Sequence, residues 1–317
     1  MEARLADRPL PTWDGVLPPW PGAHEHGLFV RRTPDHGNEP ALFVHGLGGA
    51  ATNWTDLMGL LAPTVDGAAL DLPGFGWSDP PPGSSYPLKV HVRAVVDTIA
   101  RWDRGPVHLF GNSLGGAVST RVAARYPHLV RSLTLVSPAL PNPYVSKGAD
   151  PRLALMAVPG LRQVVLKRMA AAGPEQRVRA LLELCYGDPS EIDERRVAEG
   201  VEEFRRRRQL GHSQDALVGS LKGLVATYVE RGSWNLWQQA RAVCAETLLV
   251  WGDRDRLVSA RVAPRAQAAF PRSRLLVLPG VGHVAQMERP ETVARAFLAL
   301  REDLVGGIDA PRDSRQR

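Results

Sequence analysis

Apolar residues recur along this chain in two alternating rhythms. The short runs ALFVHG (41–46), AALDLPG (68–74), VHLFGN (107–112), SLTLVSP (132–138), TLLVWGD (247–253) and RLLVLPG (274–280) are rich in aliphatic and β-branched residues. Nearly all end in Gly or Pro turn chemistry, and they predict β-strands. Between them, Leu88, Val92, Val95, Val96 and Ile99 return at helical spacing. So do Val293, Phe297, Leu300 and Leu304, following Pro290, which suits a helix's first turn. Strand and helix in alternation predict an α/β fold, a mostly parallel central sheet flanked by helices, with these apolar sets as its core.

The rhythm breaks once. From Pro138 to Glu246 no convincing strand occurs, although a crossover between parallel strands needs only about a dozen residues. Within that stretch Val178, Leu181, Leu182 and Cys185 share one helical face, and Leu217, Leu221, Leu224, Val225 and Tyr228 share another. Residues 139–245 therefore read as an inserted helical cap or lid, and 28–138 with 246–305 as the core that carries it. The Pro-rich residues 1–27 read as an N-terminal arm and 306–317 as a flexible tail.

Composition narrows the class. The chain has 317 residues, 44% of them hydrophobic and 23% charged, which suits an ordinary globular fold and excludes disorder, collagen-like repeats and coiled coil. Two cysteines cannot build a disulfide framework or a Cys-rich zinc site. No apolar run reaches the roughly 18 residues of a membrane span, and the N-terminus lacks a signal-peptide core, so a cytoplasmic protein without integral membrane association is expected. A net charge of +6 raises the question of nucleic acid. The densest basic run, Arg205 to Arg208, has no interleaved aromatics beyond Phe204, and is expected to be a solvated helix face rather than a base-stacking surface.

The chemistry begins at Gly111-Asn112-Ser113-Leu114-Gly115, after a strand and before a helix-compatible segment. That is the context of a G-x-S-x-G turn, which lifts a serine hydroxyl off the edge of a sheet. A serine hydroxyl needs a base, and the base an orienting acid. Asp255, in WGDRD, and His283, in GHVAQMERP, each follow a strand, so candidate nucleophile, acid and base run in the order Ser, Asp, His. Asp253 is the competing acid. Apart from His283 and His45, the histidines, among them His91, His108, His128 and His212, read as surface or structural residues.

HGLGG (45–49), DLPGFGWSD (71–79), GNSLGG (111–116), WGDRD (251–255) and GHVAQMERP (282–290) occur in order, and together they resemble the α/β-hydrolase superfamily in its branch with a helical cap. The resemblance spans roughly residues 28–305. It implies Ser113 as nucleophile, His283 as general base and Asp255, at the acid position of W-G-x-x-D, as the orienting residue. It further implies an oxyanion hole from the backbone N–H groups of Leu114 and Leu47, with Gly48 as the fallback for Leu47, and gives His45 and Gly46 the shaping of that loop. Such an enzyme needs neither cofactor nor metal. It acts on a small-molecule substrate as a monomer or weak homo-oligomer.

A rival exists in Gly46-x-Gly48-x-x-Ala51, which fits a dinucleotide fingerprint with Asp71 as the ribose-binding acid. It leaves GNSLGG, WGDRD and GHVAQMERP unexplained, and the hydrolase reading makes Asp71, Gly74 and Gly76 turn residues instead. A carboxylic ester is the expected substrate. Asn112 and the A-Q-x-E after His283 resemble C–C bond hydrolases of aromatic ring-cleavage products, whereas Val284 stands where those enzymes usually have Trp. A non-catalytic binding module would usually have lost part of the Ser, His and Asp set. Trp54, Trp77, Trp234 and Trp237 are candidates for an apolar acyl pocket, against the commoner role of aromatics as core.

Overall fold

The computed structural model describes residues 27–142 and 173–309. Seven strands form one sheet: β1 (Val30–Arg32), β2 (Glu39–Val44), β3 (Val65–Leu70), β4 (Val107–Asn112), β5 (Val130–Val136), β6 (Glu246–Gly252) and β7 (Ser273–Leu278). Their order is β1-β3-β2-β4-β5-β6-β7, with β1 antiparallel to β3 and every other pair parallel. Six of these correspond to the runs read from sequence. β4 coincides with its run, whereas the other five begin earlier than the apolar runs suggest and stop sooner; His45 and Asp71, for example, already belong to loops leaving the sheet's C-terminal edge. β1 escapes a periodicity argument, being a three-residue edge strand with two arginines.

Parallel strands are buried on both faces, and side chains alternate between them. Leu42, Val44, Leu109, Leu133, Leu135, Leu249 and Trp251 face one core, built with α2 (Leu88–Trp102) and α3 (Leu114–Arg125). Phe43, Phe110, Val136, Leu248 and Val250 face the other, built with α1 (Thr55–Leu61) and a C-terminal helix from Pro290. The Pro290 helix runs on to Asp309, past residue 305 where the core was expected to end.

Between β5 and β6 the described residues form four α-helices and no strand: α4 (Pro174–Cys185), α5 (Glu194–Gln209), α6 (Ser213–Ala226) and α7 (Leu236–Arg241). Beyond β6 come α8 (Ala263–Ala269), α9 (Ala285–Glu288) and α10, the Pro290–Asp309 helix. Helix α7 joins the core itself, with Leu236, Trp237 and Ala240 buried beside α3. On α6 the shared apolar face is only partly covered: Leu217, Leu221 and Val225, with Tyr228 just beyond, remain exposed. The expected arm and the first part of the insertion, residues 1–26 and 143–172, lie outside the described residues, as do 310–317. Among the described residues no helix is long and apolar enough to cross a membrane.

Candidate active site

Ser113 sits where β4 ends and α3 begins, with φ 52° and ψ −114°. A left-handed φ in a residue with a side chain costs on the order of 1–3 kcal/mol and persists only where the surroundings over-determine it. They do so here. The Ser113 N–H donates to Val136 O at 3.1 Å, and its carbonyl accepts from Ala117 N–H at 3.1 Å and Ala139 N–H at 3.0 Å. Gly115 permits the tightness of the turn, since a Cβ there would lie 2.2 Å from Val44 O and 2.6 Å from His45 O, both backbone atoms.

Two loops away, the buried His283 Nδ1 lies 2.9 Å from Asp255 Oδ2. The other oxygen of Asp255 accepts the N–H groups of Leu257 and Val258, each at 2.8 Å. Facing a carboxylate that only accepts, Nδ1 carries a proton, so in the neutral ring the lone pair sits on Nε2. Asp253 faces elsewhere: it is exposed, and its Oδ1 accepts Gly280 N–H at 2.7 Å. Asn112 ties the histidine loop to the serine turn, its amide donating to His283 O and to Val136 O at 3.1 Å each. The inserted helices hold the same loop. His283 N–H donates to Cys185 O at 2.6 Å, and Glu288 accepts Gly187 N–H at 2.8 Å and Gly282 N–H at 2.9 Å. Burial raises the Glu288 carboxyl and pushes the Cys185 thiol up to about 12.

The third component is a turn after β2. Gly49 N–H donates to Gly46 O at 3.0 Å, closing Gly46-Leu47-Gly48-Gly49 with Gly48 at φ 74°, the left-handed position that glycine fills without strain. Burial pushes His45 down to about 3, so its ring is neutral. Its Nε2 accepts Leu72 N–H at 2.9 Å, which leaves Nδ1 as the donor to Gly46 O at 2.7 Å. Gly46 O is thus held by two donors, and in a planar trans peptide the Leu47 N–H points the opposite way. Gly46 also abuts the serine: a Cβ built on it would lie 3.1 Å from Ser113 Cβ. Among the described residues no hydrogen-bond partner is found for the N–H of Leu47 or Leu114.

Several sequence expectations need correction. The Arg205 to Arg208 run is not a uniformly solvated face. Arg205 and Arg208 are exposed, but Arg206 and Arg207 share the Glu203 side of α5 and turn inward, their side chains 15% and 22% exposed. The four tryptophans do not gather into a pocket. Trp54 is core, its ring tilted against Phe43; Trp237 is buried with its Nε1 on Pro141 O; Trp77 and Trp234 are exposed, beneath Arg206 and Arg125 respectively. Asp71 is the loop-holding turn residue that the hydrolase reading expected: its buried carboxylate accepts Ala51 N–H at 2.6 Å and Trp77 N–H at 2.8 Å. Burial outweighs those bonds and raises it to about 6. His91 and His108 are buried structural residues on Ser220 and Ser132, as expected. Sequence reasoning missed Asn112 as a bridge to His283, as well as the inward arginines; the (i, i+3, i+4) spacing of Glu203, Arg206 and Arg207 was the available signal.

The arrangement has the parts that acyl transfer uses: a strained serine, a histidine oriented by a buried carboxylate, and two backbone N–H groups, of Leu47 and Leu114, without a partner among the described residues. Among the described residues no cluster of three or more His, Cys, Asp or Glu could hold a metal ion. A sequence model described as alpha/beta hydrolase fold matches residues 40–290. Over 272 residues the chain is 30% identical to a dihydrolipoyllysine-residue acetyltransferase component of the acetoin cleaving system of Pseudomonas putida, covering 83% of this chain but only 64% of that protein's length. It is 26% identical over 282 residues to a 2-hydroxy-6-oxononadienedioate/2-hydroxy-6-oxononatrienedioate hydrolase from Cupriavidus pinatubonensis, covering 85% and 88% of the two chains. A solved meta-cleavage product hydrolase from Pseudomonas fluorescens superposes with TM-score 0.70 at 20% identity, covering 88% of this chain and 96% of that one. This structural likeness is one of fold.

Proposed function

Because the chain belongs to the alpha/beta hydrolase fold family, we propose that it is a serine hydrolase of a carboxylic ester or similar carbonyl substrate. Ser113 is the nucleophile, His283 the base and Asp255 the orienting acid. The observation that carries this reading is the buried His283–Asp255 pair at 2.9 Å, tied through Asn112 to the strained turn at Ser113. Ser113 Oγ adds to the carbonyl carbon as its proton passes to His283 Nε2. The carbonyl electron pair moves onto oxygen, where the N–H groups of Leu47 and Leu114 receive it. Collapse expels the alcohol, which takes the proton from His283, and leaves an acyl ester on Ser113. Water then adds with His283 as base, releasing the acid and restoring Ser113. In this reading helices α4 to α6 belong to the cap over the site.

A second reading, hydrolysis of a C–C bond in a ring-fission product, is favoured by one observation. Relatives named as 2-hydroxy-6-oxononadienedioate/2-hydroxy-6-oxononatrienedioate hydrolases match over more than four fifths of both chains. The test offers purified protein p-nitrophenyl butyrate and a 2-hydroxy-6-oxo-dienoate side by side, each also with Ser113→Ala. Ester turnover that disappears in Ser113→Ala supports the first reading. Loss of the dienoate absorbance without ester turnover selects the second, and turnover unchanged by Ser113→Ala refutes both.

A further inference from the structure

We propose that Arg207, on the inserted helix α5, is a positioning residue for the oxyanion hole: it fixes the direction of the Leu47 N–H through a relay of two peptide units. The inference rests on the proposed serine-hydrolase function, and deepens it. Arg207 Nη1 donates to Gly48 O at 2.5 Å, Nη2 donates to Gly49 O at 2.7 Å, and Nε is anchored on Glu203 Oε1 at 2.6 Å. All five guanidinium N–H groups point from one rigid plane, so the fork sets the turn's position and its angle together.

The consequence follows peptide by peptide. Gly48 C=O and Gly49 N–H are the two ends of one planar unit. Arg207 holds the carbonyl end, and the N–H end donates to Gly46 O at 3.0 Å. Gly46 C=O and Leu47 N–H are in turn the ends of another planar unit, whose N–H is the proposed oxyanion donor. Each bond polarises the next, so the guanidinium charge also strengthens the terminal N–H as a donor. The Gly48–Gly49 peptide lies between two residues without side chains and rotates at little steric cost, so it needs an external hold. Its near neighbours show why Arg207 supplies it. His45 fixes the Gly46 carbonyl from inside the core, and Asn53 holds Ala50 N–H at 3.1 Å, while the Gly48 and Gly49 carbonyls between them are held by Arg207. Arg206, beside it, donates to Gly76 O and lies over the Trp77 ring at 4.3 Å, so the same face of α5 grips a second loop at the sheet edge.

A packing residue and a positioning residue differ in what their loss moves. The variants Arg207→Ala, Arg207→Lys and Arg208→Ala are made in the full chain, with Ser113→Ala beside them. Each is assayed for kcat and KM on p-nitrophenyl butyrate and for its unfolding midpoint in urea. Arg207→Ala is expected to lower kcat by about tenfold to a hundredfold, less than loss of a donor outright, with KM within about threefold of wild type. Arg207→Lys keeps the charge but cannot serve both carbonyls and Glu203, and its kcat should fall in between at an unchanged midpoint. Arg208→Ala, exposed on the same helix, should match wild type. The proposal is overturned if Arg207→Ala turns over like wild type or loses only in KM. Should Arg207→Ala fail to fold, a wild-type kcat in Arg207→Lys overturns it equally. Wild-type activity that survives Ser113→Ala overturns the serine-hydrolase reading and this inference with it. Activity abolished by Ser113→Ala but indifferent to Arg207 overturns this inference alone.

Discussion

Asp255→Asn separates orientation from charge at the candidate site. In the native protein both carboxylate oxygens are in use, Oδ1 by the N–H groups of Leu257 and Val258 and Oδ2 by His283 Nδ1. An asparagine has one acceptor oxygen. Two backbone donors compete for it against one ring N–H, so the oxygen stays on the backbone and the NH₂ group turns toward His283. Two donors cannot face each other, and the imidazole must move its proton from Nδ1 to Nε2, the nitrogen that has to receive the Ser113 proton. The equivalent tautomer error in serine proteases lowers kcat by about ten-thousandfold. That corresponds to about 5.4 kcal/mol at 1.36 kcal/mol per factor of ten. Stability should suffer far less, because both backbone bonds survive and one charge-assisted hydrogen bond is lost, worth about 1.5–3 kcal/mol. The assay is kcat on p-nitrophenyl butyrate with urea unfolding measured alongside, and with Asp253→Asn as the comparison. Asp253 is exposed, and among the described residues its carboxylate holds Gly280 N–H alone, so its variant should stay within about threefold. An Asp255→Asn enzyme within tenfold of wild type, or an Asp253→Asn enzyme that loses more, would refute the reasoning.

Further expectations follow from the same geometry. Gly115→Ala should destabilise the fold by more than about 3 kcal/mol and abolish turnover, because the new Cβ meets Val44 O at 2.2 Å and the strand cannot yield cheaply; a urea midpoint equal to wild type contradicts this. Acid should weaken the fold below about pH 6.5. His45, His91 and His108 are held neutral by burial, at about 3, 4 and 4, so the unfolded chain binds protons there that the native protein refuses. Asp71, raised to about 6 by burial, takes up a proton in the native state first and offsets one of the three, leaving a net uptake of about two protons on unfolding near pH 5. The contribution of the histidines is complete above about pH 6.5 and is lost as pH falls toward their native values. An unfolding midpoint that stays flat from pH 7 to pH 5 contradicts it.

Much of the sheet was legible because parallel strands buried on both faces read as continuous aliphatic runs, as in VHLFGN and TLLVWGD. Their ends were less legible. His45 and Asp71 look like strand continuations by periodicity; the motif resemblance made them loop and turn residues, and the fold supplies the partners, Gly46 and Leu72 for His45, Ala51 and Trp77 for Asp71. Ser113, Asp255 and His283 stand out in the sequence as candidates because each lies in a short motif after a strand. The preference for Asp255 over Asp253 came from the resemblance to W-G-x-x-D, and of the two it is Asp255 whose carboxylate faces His283 Nδ1. What periodicity could not reveal was tertiary partnership. Arg207 looks like any charged helix residue until Gly48 and Gly49 are brought to it, and an aromatic such as Trp77 looks apolar until the chain leaves it at the surface under an arginine.

The central claim is that Ser113 is the nucleophile, and covalent labelling tests it without knowledge of the substrate. The native protein is treated with a fluorophosphonate, and the adduct is located by intact mass and peptide mapping, beside Ser113→Ala and His283→Ala. One adduct on Ser113 of the wild type, with neither variant labelled, is the expected result. An unlabelled folded wild type, or an adduct on any other residue, would contradict the claim.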